Sequence, residues 1–201
     1  MRDIGGLIRK FRTSEYFYDV FWHEVRRKLL LPKLTKELPY MSEEEFKELL
    51  SNRDLFGDIK IPNINKMLEN FKETKLRLMN LFLGNEPIEK RIKEALEIKG
   101  MSIYTISNLL SATSDEFILY HDNLVSAIWE LLPELQEKVS ICAELLPKRG
   151  VFTAEEYVNF NEFCKILRDI LGFRSLGELH EFLWHGYNTN WTFQKIPNLS
   201  P

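Results

Sequence analysis

Apolar residues recur along this chain at intervals of three and four, the spacing that places them on one face of an α-helix. In SEYFYDVFWHEVRRKLL, Tyr16, Phe17, Val20, Phe21, Val25 and Leu29 share such a face, and Pro32 is expected to end the helix. Ser42-Glu43-Glu44-Glu45 reads as a capping box opening a short helix through Leu50, because the serine hydroxyl and the glutamate three residues later satisfy amides that the first turn leaves unpaired. A loop, RDLFGDIKIPN, follows. Helical periodicity then runs from Asn63 to Leu83 with a break near Phe71, and Gly84-Asn85 stops it.

Pro87 sits at the first turn of the next helix, IEKRIKEALEI. Gly100-Met101-Ser102 interrupts the pattern, and a new helix runs from Ile103 to Ala112. After a turn, another spans Asp122 to Leu132. The pairs Thr153/Glu156 and Ser175/Glu178 have capping-box spacing and open helices through Leu171 and Trp184. The best strand candidate, FILY at 117–120, is too isolated to build a sheet. From Tyr187 onward, YNTNWTFQKIPNLSP lacks helical periodicity. The expected fold is all-α: a compact multi-helix domain built around a helix-hairpin-helix, with little or no sheet. Residues 1–186 read as a single helical domain whose subregions 1–84 and 85–186 share one core, and 187–201 as a tail or linker toward a further domain.

The 201 residues, 44% apolar and 28% charged, suffice for a folded core. Cys142 and Cys164 form no C-x-x-C pair, which argues against a disulfide framework or zinc ribbon. Neither a signal peptide nor a long uncharged apolar run is present, so the expectation is a cytoplasmic protein with no membrane partner. The net charge of -3 excludes a protein that coats nucleic acid through bulk positive charge. Charge is graded, however: residues 1–36 hold nine basic against four acidic residues, and residues 60–99 nine against six. A basic face on DNA and ordinary solvated helix faces both fit that gradient.

The interruption at Gly100 is where chemistry enters. A helix, a glycine turn and a second helix leave the first amides of that second helix facing outward, where the helix dipole also favours an anion. Gly100, Met101, Ser102, Ile103 and Tyr104 are placed to hold a phosphate of double-stranded DNA in this way. Lys99, Lys93, Arg91 and Lys90 are candidate supporting charges, although residues 90–93 cover most of a helical turn and cannot all face one duplex. A plain helical corner with a glycine cap needs the same residues. His180 and His185 superficially resemble an H-E-x-x-H zinc site, but residues five apart diverge by about 140°. His23 reads as a lone structural histidine. KETK and GDIK lack the neighbouring strands that metal-dependent nuclease carboxylates require. No metal, cofactor or catalytic activity is therefore expected. Most aromatic residues, among them Phe21 and Trp184, read as core, whereas Tyr187 and Trp191 are candidate base-stacking platforms.

IKGMSIYTISNLLSAT resembles the hairpin of the helix-hairpin-helix DNA glycosylase superfamily, with Ser102 in place of the second glycine and Thr105 matching the family's threonine. Tyr104 stands where lyase-type members carry a lysine nucleophile, so the resemblance does not imply Schiff-base chemistry. The family's aspartate, which stabilises positive charge on the sugar, falls on Asp122 when counted from Gly100. It falls on His121 when counted from Phe117. Residues 84–133 and 172–188 together also resemble a helical region preceding the AAA+ motor of McrB-type restriction GTPases. That resemblance implies a DNA-recognition module of a prokaryotic restriction, defence or repair system, partnered by a motor domain that this chain, lacking G-x-x-x-x-G-K-[ST], does not contain. A glycosylase-like enzyme using Asp122 is the second reading, and a helical protein-interaction domain the third.

Overall fold

The computed structural model describes residues 3–56, 61–140 and 142–193, and within them the chain is all-α, with no strand. Helix α1 (Ile4–Arg12) leads through a 3₁₀ turn into α2 (Asp19–Pro32). Helices α3 (Glu43–Ser51), α4 (Arg53–Phe56), α5 (Ile64–Leu68) and α6 (Phe71–Leu83) follow. Helices α7 (Ile88–Leu96) and α8 (Ile103–Ser111) make the hairpin, and α9 (Asp122–Val139), α10 (Ala154–Leu171) and α11 (Leu176–Asn188) complete the chain. Among the described residues no helix is long and apolar enough to cross a membrane.

The local signals act as elementary chemistry requires. The Ser42 and Thr153 hydroxyls cap α3 and α10, each with the reciprocal glutamate contact from Glu45 or Glu156. Ser175 caps α11 through the Glu178 amide, but Glu178 turns its carboxylate to the Arg174 amide and the Arg12 guanidinium instead. Asn70 caps α6, which separates it from α5 close to the expected break. Pro32 does not stop the chain: its φ of -64° is helical, and a wider π-type turn over Lys33–Glu37 continues from it. Pro133 is likewise absorbed within α9, which outruns its expected end.

Helix α11 is the hub. It packs against α9, α2, α10 and α1, with Leu176, Leu179, Phe182 and Leu183 buried in one apolar core that extends from Leu7 to Phe193. Two glycines permit the closest approaches. A Cβ at Gly177 would stand 3.1 Å from Cβ and Cγ of His23, and one at Gly186 would stand 2.3 Å from the Trp191 ring. The segment after Tyr187 is therefore no simple tail: α11 reaches Asn188, and Trp191 and Phe193 fold back onto Phe182. Trp191 is core rather than an exposed platform, and its indole N–H reaches Glu130. Helix α1, masked in the sequence by Gly5-Gly6, buries Leu7, Ile8 and Phe11 and ties its end to α11 through Arg12 and Glu178 at 2.7 Å.

Helix α2 is rotated relative to its sequence pattern. His23, Arg26 and Leu30 face inward, while Phe21, Val25 and Leu29 are 53%, 53% and 49% exposed. The inward polar residues have partners. Arg26 donates to the Asn108 carbonyl oxygen at 2.5 Å and to its side-chain oxygen, and lies over the rings of Trp22 and Phe56 at 4.9 and 5.4 Å. The expected basic face is thinned in the same way, because Arg12, Arg26 and Arg27 turn to Glu178, Asn108 and Asp115.

Segment 117–120 is extended without a strand partner, and side chains take the sheet's place. Asn161 accepts from the Ile118 amide at 2.8 Å and donates to the Glu116 carbonyl, Ser107 accepts from the Tyr120 amide, and the Tyr157 hydroxyl donates to the Ile118 carbonyl. Replacing Asn161 with Leu leaves a buried amide and a carbonyl unpaired. Urea denaturation is expected to show Asn161→Leu destabilised by about 2–3 kcal/mol.

Candidate functional site

Helices α7 and α8 are joined as a hairpin whose turn depends on Gly100 at φ +85°. The turn leans on α5: a Cβ on Gly100 would meet Asn63 Cβ at 2.9 Å and Lys66 Cβ at 3.0 Å. Gly100→Val is therefore a packing lesion as well as a turn lesion, and not a clean probe of phosphate docking. Ser102 caps α8, its hydroxyl taking the Thr105 amide and its carbonyl the Ile106 amide. Among the described residues, the amides of Ile103 and Tyr104 have no protein acceptor. Met101, Ser102 and Tyr104 are half-buried and Ile103 is buried, so this helix start is only partly open to solvent.

The supporting cations do not converge. Lys99 pairs with Glu69, Lys90 pairs with Glu86 at 3.1 Å, Arg91 donates to the Leu81 carbonyl at 2.7 Å, and Lys93 is exposed. On the Lys99 side the turn borders a polar depression flanked by Glu69, Glu73 and Glu97, an acidic neighbourhood.

On the other side lies a cleft of about 500 Å³. Helix α2 supplies Asp19 and Trp22, α8 supplies Tyr104, the segment before α9 supplies Leu119, Tyr120 and His121, and α11 supplies His180, Glu181, Trp184 and His185. Its walls are aromatic. His121 meets the Trp184 ring edge-on at 4.6 Å and the Tyr104 ring at 6.2 Å, while His180 and Trp184 lie parallel. Partial burial lowers the pKa of His121 and raises that of Tyr104, so both are neutral near pH 7.

The inner end of the cleft is polar, and Glu181 organises it. Its Oε1 lies 2.6 Å from His23 Nε2 and 2.9 Å from His180 Nδ1, and its Oε2 lies 3.1 Å from His185 Nε2. His185 Nε2 is also 2.8 Å from Asp19 Oδ2, and its ring stacks on Tyr16 at 4.5 Å. Burial would raise the Glu181 carboxyl, but the charge and hydrogen bond of His180 and the hydrogen bonds of His185 and His23 outweigh it and hold the group well below its usual range. Burial lowers His23, only partly offset by Glu181. For His185 the same burial is outweighed by Glu181 and Asp19, which raise its pKa. The result is a buried carboxylate facing a neutral imidazole on α2 and a readily protonated one on α11.

Of the residues expected to act, only Tyr104 lines the cleft. Asp122 is the first residue of α9 but not its cap. His121 is the N-cap, and Asp122 instead accepts a hydrogen bond from the Tyr120 hydroxyl. His121 lines the cleft, whereas Asp122 is not among its lining residues. The sequence carries no signal for Asp19 or Trp22, His23 reads there as a lone structural histidine, and His180 and His185 read as a pair with the wrong spacing. The geometry that matters is Glu181 to His185, four apart and on one helix face, with His23 arriving from α2. KETK lies on α6 without strand neighbours, and GDIK lies outside the described residues. Comparison with protein-family models, curated proteins and solved structures gives no match.

Glu181→Gln removes the acidic group that both His23 and His180 contact. Its unfolding free energy in urea at neutral pH is expected to fall by about 2–4 kcal/mol, with unchanged helix content by circular dichroism.

Proposed function

We propose that this chain is a nucleic-acid-binding module in which the start of α8 docks a backbone phosphate of duplex DNA and the adjoining cleft receives an unstacked base. One observation carries the reading. Tyr104, two residues past the hairpin cap, and His121, directly before α9, touch edge to face and both line the aromatic cleft, so the start of α8 borders it. Phosphate capture at the amides of Ile103 and Tyr104 would therefore hold the backbone next to a cavity of small-ligand size.

The walls suit a base. Trp184, Trp22 and Tyr104 offer ring faces and edges, and stacking on an aromatic side chain is worth about 1–3 kcal/mol per base. The Glu181 and His180 end offers acceptor and donor groups to a base edge. The resemblance to restriction and glycosylase hairpins supports the same reading, and with it a role in a defence or repair system working with a separate motor. Catalysis by Asp122 draws no support, since that carboxylate accepts the Tyr120 hydroxyl and is not among the residues lining the cleft.

Fluorescence anisotropy with labelled duplexes tests the proposal. A duplex with a bulged or mismatched base is expected to bind about tenfold more tightly than the fully paired one, because less unpairing is required. Affinity should fall as salt rises. Trp184→Ala should weaken binding to the bulged duplex by about 5–100-fold. Equal binding of both duplexes, or an unaltered Trp184→Ala variant, overturns it.

A second reading, a protein-interaction surface, is favoured by the outward face of α2, where Tyr18, Phe21, Val25 and Leu29 form an apolar stripe. If that stripe binds protein, sedimentation velocity is expected to show self-association or retention of a partner domain that Phe21→Asp with Val25→Asp abolishes. The double variant should still melt as the parent does, since both side chains are exposed.

A further inference from the structure

The donor geometry around Glu181 supports more than a hydrogen-bonded core. Its observations are independent of nucleic-acid binding. Two imidazole nitrogens, His23 Nε2 from α2 and His180 Nδ1 from α11, converge on the same carboxylate oxygen, and the three ligand-type atoms lie within 4.8 Å of one another. All three side chains are buried, yet His180 and Glu181 also line the cleft, so the constellation has one face open to solvent. We propose that His23 Nε2, His180 Nδ1 and Glu181 Oε1 form a binding site for a divalent transition-metal ion of the zinc class, with its remaining coordination position facing the cleft.

The chemistry fits. Two imidazoles and one carboxylate, with an open fourth position, make a tetrahedral donor set of the kind borderline-soft cations take. At metal–ligand distances of about 2.0–2.1 Å, neighbouring donor atoms stand about 3.3 Å apart. The present separations of 2.6 and 2.9 Å need to widen only by fractions of an ångström to admit an ion. Bonded to an ionised carboxylate, His23 Nε2 and His180 Nδ1 carry protons there, so an ion must displace those protons to reach the two lone pairs.

The surrounding groups orient these donors as outer contacts do around bound metals. Glu181 Oε2 is held by His185, which in turn is held by Asp19. The His23 ring is fixed between the bare backbone of Gly177 and the edge of Trp22 at 5.1 Å, and the His180 ring lies parallel to Trp184. Asp19, Glu181 and His185 form a second set of comparable spacing. There, however, an imidazole whose pKa is raised already bridges both carboxylates, and Asp19 is exposed, so that set serves as the support rather than the site.

The test uses the full chain, stripped with chelator and titrated with Zn²⁺ against a chromophoric competitor. One equivalent is expected to bind at micromolar or lower concentration and to raise the melting temperature. His180→Asn is expected to weaken binding by more than about 100-fold, and His185→Gln by about 10–100-fold. Because His23→Gln also removes a core contact, the wild-type protein supplies a second readout. In ¹H–¹⁵N spectra of the imidazole rings, Zn²⁺ should shift Nε2 of His23 and Nδ1 of His180 to the metal-bound range. Absence of Zn²⁺ binding to the wild type, binding undiminished in a folded His180→Asn variant, or unshifted His23 and His180 nitrogens at saturation overturns the assignment. Failure of the wild-type protein to bind DNA while it binds Zn²⁺ would overturn the nucleic-acid reading and leave the metal site standing.

Discussion

A single buried carboxylate constrains the architecture. Glu181 must be ionised for three imidazoles to gather on it, and an ionised group in a core is tolerated only where its partners are fixed. That requirement sets the rotation of α2, because His23 reaches Glu181 only if its helix face turns inward. It also sets how close α2 comes to α11, and Gly177 supplies the missing side-chain volume at their contact. The cleft is the open flank of this junction.

Arg26 extends the same logic one turn further along α2. Its guanidinium is received by the carbonyl and side chain of Asn108 and by aromatic faces, so that α8 is docked through polar contacts rather than through an apolar seam alone. Ser107 and Asn161 then tie the extended 117–120 segment to α8 and α10. A polar interior of this kind is directional. It fixes the register of helices that apolar packing alone would let slide, and it brings Tyr104 and His121 into edge-to-face contact in the lining of the cleft.

Hairpin and cleft consequently belong to one assembly. The cations that would make the hairpin an electrostatic clamp do not converge on it, since Lys99 pairs with Glu69 and the guanidinium of Arg91 is turned to the Leu81 carbonyl. The outward apolar face of α2 follows from the same constraint: turning His23 and Arg26 inward leaves Phe21, Val25 and Leu29 outside.

The sequence by itself determined the all-α class, the capping boxes at Ser42 and Thr153, the glycine turn at Gly100 and the opening of α8 at Ile103. These signals act between residues three or four apart, so the local chain carries them in full. It misjudged the inward face of α2, the continuation through Pro32 and Pro133, and the fate of Trp191. It also could not join His23 to Glu181 across 158 positions. Only the tertiary structure decided these points. Periodicity records which residues share a face, whereas the choice of the face to bury depends on whether a distant carboxylate, carbonyl or ring offers its polar members a partner.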